Sequence, residues 1–165
     1  MAFGLNYKKT DTSQKNSLGA RQMTSEGEFL YTYATTSFTQ YAFIELTKSW
    51  TGDMLTSTGA GGTPSPVGVC QVAFNQGEYG WVWVGKGGGV GKGIKGTVAA
   101  SYAAGAKMTT TSTNGVVDDA ACGSGAAPWR VLGVSGTSTD SGSGSAVELE
   151  ASGLLSVDYA IPNNA

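Results

Sequence analysis

The chain has 165 residues, 26 of them glycine, with 13% charged residues, a net charge of −2 and no histidine. That length suits a single domain with its own core, and four Trp, seven Tyr and five Phe at so low a net charge exclude an intrinsically disordered chain. The missing histidine removes the commonest general base and metal ligand. No apolar run approaches the ~20 residues of a membrane span, and Met1 to Thr10 has no apolar signal region, so the expectation is a soluble protein made in the cytosol.

Charge is unevenly placed. Residues 1–21 carry Lys8, Lys9, Lys15 and Arg21 against Asp11, a net +3, and the remaining 144 carry −5. Residues 1–27 are polar and turn-rich with isolated apolar positions at Phe3, Leu5 and Tyr7, and they read as an extended N-terminal arm ahead of a β-rich domain over 28–165. Four cations in twenty residues are sparser than a nucleic-acid arm. The readings left are a solvated terminus and an arm that docks on an acidic protein surface.

From Glu28 the texture changes. EFLYTYAT and QYAFIEL are rich in aromatic and β-branched residues and predict two strands joined through Thr36 to Thr39. Trp50 to Pro66 contains Gly52, Gly59, Gly61, Gly62, Pro64 and Pro66 and reads as a long surface loop. VGVCQVAF, residues 67–74, is apolar on both faces, which predicts a central strand. After a turn over Asn75 to Glu78, YGWVWVG places Tyr79, Trp81 and Trp83 on one face at a spacing of two. That stripe serves either core packing and cross-strand stacking or a platform for sugars or a protein partner.

The glycine-rich passage that follows looks like a phosphate cradle and is not one. A GxxxxGK[ST] loop ending on Gly91 and Lys92 needs glycine at 86, where Lys86 stands, and a hydroxyl at 93, where Gly93 stands. In the frame of Gly85 and Gly87 the GxGxxG pattern fails at Val90. Beyond it, IKGTVAASY, AKMTTTST, GVVDDAAC, PWRVLGVS and SAVELEASGLLSVDY predict further short strands, with one turn of helix in ASYAAGAKM and a Ser/Gly/Thr loop over 135–145 joining two of them. Short strands at this spacing predict an all-β fold, a small β-barrel or β-sandwich.

Chemistry has few carriers here. The remaining enzymatic option is a glycosidase pair among Glu45, Glu78, Asp118, Asp119, Glu148 and Glu150. Asp118 and Asp119 point to opposite faces of a strand, and Glu148 and Glu150 alternate with Val147 and Leu149 as the wet face of another. Cys70 and Cys122 lack a CxxC spacing and read as buried thiols rather than zinc ligands. The expectation is a binding protein with no catalytic residue, metal or cofactor.

The order of segments SLGARQMTSEGEFLYTYAT, FTQYAFIEL, VGVCQVAFNQGEYGWVWVGKG, GAKMTTTSTNGVVDD and WRVLGVSGT resembles the small head decoration, or cement, proteins of tailed bacteriophages, over residues 18–159. The resemblance implies a structural virion protein on the capsid exterior, commonly a homotrimer, that binds the major capsid protein and reinforces joints between capsomers, without nucleic-acid or membrane partners. It further implies a grip through the N-terminal arm, for which Phe3, Leu5 and Tyr7 are the apolar anchors and Lys8, Lys9 and Arg21 the charged partners. The alternative is a carbohydrate-binding or adhesion module of a virion fibre that stacks sugars on Tyr79, Trp81 and Trp83.

Overall fold

A computed structural model describes residues 5–56, 64–119, 129–138 and 145–162, and the described chain is all-β. Its strands are β1 (Thr10–Asp11), β2 (Arg21–Thr24), β3 (Gly27–Ala34), β4 (Phe43–Leu46), β5 (Thr51–Met54), β6 (Ser65–Cys70) and β7 (Tyr79–Gly88). A C-terminal group follows: β8 (Lys95–Thr97), β9 (Met108–Thr110), β10 (Val117–Asp118), β11 (Trp129–Gly136) and β12 (Ala146–Pro162). Cys122 lies outside the described residues, as does much of the Ser/Gly/Thr segment.

Five strands close into a ring. β3 pairs with β7 and, in parallel, with β5; β5 pairs with β4, β4 with β6, and β6 returns to β7 through Val69–Trp83 and Cys70–Val82. Alternation along these strands sends one set of side chains into the barrel and the other outward. Inside lie Leu30, Ala34, Ile44, Leu46, Cys70, Val82 and Val84. One end is stopped by Phe38 and Phe74, which exchange backbone hydrogen bonds of 2.9 and 3.0 Å and set their rings 5.3 Å apart. Glycine makes room for them: a Cβ on Gly80 would stand 2.6 Å from the Phe74 ring, and one on Gly52 3.2 Å from Phe38.

The outward set forms a second, larger core. Phe29, Phe43, Val67, Val69 and Trp83 meet Val131, Val134, Val147, Leu149, Leu155 and Val157 from β11 and β12. β12 is a single strand of 17 residues, where short ones were expected, because it changes partner along its length. One edge stays on β11, while the other meets β8, then β7, then β6. The two-faced strand expected over 67–74 is present only as far as Cys70, with Val67 and Val69 in the outer core and Cys70 in the barrel, and the chain turns at Gln71. Burial pushes the Cys70 thiol up to about 12, and the sulfur donates to the carbonyls of Thr39 and Ala42.

Two expectations are corrected. The segment read as a loop from Trp50 to Pro66 contains β5 and the start of β6. β5 has the sequence TGDM, and it is held by backbone pairing rather than by an apolar pattern, with its glycine facing the barrel. The turn of helix expected in ASYAAGAKM is instead a pair of turns, in which Ser101 and Gly105 take positive φ. Tyr102 pins them, since its hydroxyl donates to Ala106 O and accepts from Gly136 N.

The glycine-rich passage is a strand crossing. β7 leaves β3 near Gly85 and passes onto β12, pairing Gly85, Gly87 and Gly88 with Leu154, Ala151 and Glu150. Gly85 and Gly88 have φ of 115° and 80°, and a Cβ on either would run into a backbone carbonyl oxygen, that of Gly153 or Leu149. Only glycine meets both demands.

Candidate interaction surface

The outer face of the β3–β7 pair is a double aromatic ladder. Register sets Phe29 opposite Trp83, Tyr31 opposite Trp81 and Tyr33 opposite Tyr79. Trp81 meets Tyr31 edge-on at 5.2 Å, and Tyr79 lies 4.9 Å from Tyr33. Trp83 is fully buried, and its indole N–H donates to the carbonyl of Glu26 at 3.1 Å. The stripe is therefore graded: Trp83 belongs to the core, while Tyr79 and Trp81 stay half-buried at the other end. Tyr33, Tyr79 and Trp81 keep some exposed surface, and Trp83 has none.

Residues 5–27 lie along this face. Tyr7 stacks on Phe29 at 4.4 Å and, with Leu5, packs against the outer core. Burial, with the Glu26 carboxylate adding to it, raises the Tyr7 hydroxyl above its ordinary value. β1 pairs Thr10 with Gly80 and Asp11 with Tyr79. Further on, the Lys15 N–H donates to the Tyr31 hydroxyl at 3.1 Å, and Gly19 and Ala20 exchange backbone bonds with Tyr31. β2 then pairs with β3 over Leu30 to Gly27. The physical reason is the exposed ladder itself, which offers aromatic area that Leu5 and Tyr7 cover.

The structure thus separates the residues singled out for the arm. Leu5 and Tyr7 are covered by their own domain, and Phe3 lies outside the described residues. Lys8 and Lys9 are exposed, Lys8 with its ammonium 5.8 Å from the Tyr7 ring centroid and Lys9 within 3.6 Å of Asp11. They lead into β1, which ends the sheet order beside Tyr79.

Arg21 stands apart from them in a charge cluster that the sequence reading did not find. Its NH1 lies 2.6 Å from Glu28 Oε1, and Lys86 Nζ lies 2.8 Å from Glu28 Oε2. Glu28 is buried, with a side chain 8% exposed. The hydrogen bond from Lys86 and then that from Arg21 hold its carboxyl below the usual glutamate range, against the opposing effect of burial. Lys86 reaches it from a left-handed backbone with φ of 54°. The missed signal was the acidic residue at the head of an otherwise apolar strand, facing a lysine in a run of glycines.

Three of the carboxylates considered for hydrolysis have structural partners. Glu78 accepts the Asn75 N–H at 2.8 Å, Asp119 accepts that of Ala103 at 2.7 Å, and Glu148 accepts that of Gly91 at 3.0 Å. The bonds from Asn75 also lower the Glu78 carboxyl. Glu148 and Glu150 sit on the wetter side of β12, alternating with buried Val147 and Leu149. Among the described residues, no three of His, Cys, Asp or Glu stand close enough to hold a metal ion. Comparison of the chain with protein families, with curated proteins and with solved structures gives no match.

Proposed function

We propose that this chain is a structural virion protein that binds the outer surface of a tailed-phage capsid and stabilises contacts between capsomers. The observation that carries the reading is the N-terminal edge. Exposed Lys9 reaches back there to Asp11, the partner of half-buried Tyr79 across β1 and β7, and exposed Lys8 stands over the Tyr7 ring, on a segment whose flanking residues are already ordered on the domain. Such an edge can meet an acidic shell without first ordering a long tail, which lowers the entropic cost of docking. The segment order that resembles head decoration proteins supports the same reading. So does the scaffold, in which a closed barrel braced by a C-terminal sheet presents fixed surfaces.

Within this reading Leu5 and Tyr7 act indirectly, by seating the segment that leads into β1. Arg21 likewise acts within the domain through Glu28. Trimerisation would multiply a modest contact into firm attachment, because linked sites add through effective concentration. The test is thermal rupture of undecorated phage heads, followed by release of packaged DNA, with and without the protein. A rise in the rupture temperature that saturates with added protein is the expected result, and an unchanged rupture temperature would overturn the proposal.

A further inference from the structure

Phe38 and Phe74 stop one end of the barrel, and among the described residues a cavity lies at the other. Phe74 meets the β7 strand at Gly80, whereas a cavity of about 280 Å³ meets it at Val84, roughly 13 Å further along at ~3.3 Å per residue. Leu30 and Val84 from the barrel interior line this cavity, with Leu154 and Leu155 of β12 and Pro66 of β6 around them, and Arg21 completes it. Leu154 is 42% exposed, one of few large apolar side chains left in water among the described residues. Its size places the cavity near the lower end of small-ligand pockets, which run from ~300 Å³ upward.

Arg21 is fixed in place. Glu28 holds its NH1, the Trp50 ring lies 5.7 Å from the guanidinium carbon, and the side chain is still 40% exposed. A guanidinium has five N–H donors in a rigid fork that fits a carboxylate. Glu28 is shared between Arg21 and Lys86, so the trio carries a net +1. That balance suits a monoanion better than a phosphate dianion. The remaining lining is proline, leucine, valine and serine, which suits a slim aliphatic chain.

From this arrangement we propose that the open end of the barrel binds a small aliphatic carboxylate, with its chain against Leu30, Val84 and Leu155 and its head on Arg21. The site is separate from the N-terminal edge and does not depend on the capsid reading. The probe is sodium octanoate, titrated into the full-length protein and followed by amide chemical shifts, with octanol as the neutral comparison. Saturable one-to-one binding with a Kd on the order of 1 mM is expected, with octanol at least ~10-fold weaker for want of the charge-assisted bond. Leu154→Glu, at an exposed position, should weaken octanoate by about 10-fold through like-charge repulsion and lost apolar contact. Arg21→Gln should erase the preference for octanoate over octanol. Absence of saturable binding, equal affinity for octanoate and octanol, or octanoate affinity unchanged in Leu154→Glu would each overturn the proposal.

Discussion

The barrel interior and the outer core are built from alternate residues of the same strands, yet they fill space in opposite ways. Inside, the wall is thinned: Gly52, Gly68 and Gly80 give up their side chains so that Phe38, Phe74 and Val82 can enter. Outside, the strands carry their largest residues, Phe29, Trp83 and Phe43, and the C-terminal sheet supplies branched aliphatic partners. A narrow ring has little interior volume, so most apolar burial has to come from its outer face. The consequence is a scaffold whose outer face is taken by β8–β12 on one side and by residues 5–27 on the other. Surface for a partner is left along the β1 edge, where Lys8 and Lys9 are exposed and Asp11 pairs with half-buried Tyr79.

Cutting one large side chain from each core gives the largest expected effect. Trp83→Ala and Phe38→Ala should each cost about 3–5 kcal/mol, read from denaturant midpoints at constant m-value. Tyr79→Ala, at the half-buried end of the same stripe, should lose only about 0.5–1.5 kcal/mol of ring pairing. Equal losses at Trp83 and Tyr79 would erase the graded ladder. Next comes the crossing that joins the two cores. Gly88→Ala combines a left-handed backbone with a collision on the Leu149 carbonyl and should cost about 2–4 kcal/mol. Its neighbour Gly89 has φ of 104° and open space around it, so Gly89→Ala should cost about 1 kcal/mol. Thermal melts of the two variants separate collision from backbone strain.

A smaller effect is expected at Glu28. Glu28→Gln removes the anion shared by Arg21 and Lys86, and because both cations are about 40% exposed, water screens the loss to about 1–2 kcal/mol. The sign of the pH dependence follows from a carboxyl lowered in the folded state. Its stabilisation is complete above the ordinary glutamate value of 4.5 and disappears as pH falls through the lower folded value. Urea titrations of the protein and Glu28→Gln should therefore converge in acid and diverge at neutral pH. The smallest change is expected at the proposed contact, where Lys8→Glu with Lys9→Glu should stay within about 0.5 kcal/mol, as exposed substitutions do.

Much of this arrangement was legible in the residues. The two-faced apolar pattern of Val67 to Cys70 marks a central strand, and the period of Tyr79, Trp81 and Trp83 marks a stripe. Its other half was equally visible in Phe29, Tyr31 and Tyr33, which share that period, but only the register β3–β7 sets the two stripes opposite each other. β5 was hidden because TGDM joins the barrel through its backbone and a glycine. The glycines of residues 85–88 announce close approach without saying to what, since β12 arrives from sixty residues downstream. The packing of the N-terminal segment was hidden for a related reason. Nothing in the sequence says that Tyr7 stacks on Phe29.

The capsid proposal is tested most directly by co-sedimentation of the purified protein with undecorated phage heads, beside the double variant Lys8→Glu with Lys9→Glu. The account predicts saturable binding by the unaltered protein and loss of most of it in the variant, with both equally folded by circular dichroism. Heads that retain neither protein, or both alike, would contradict it.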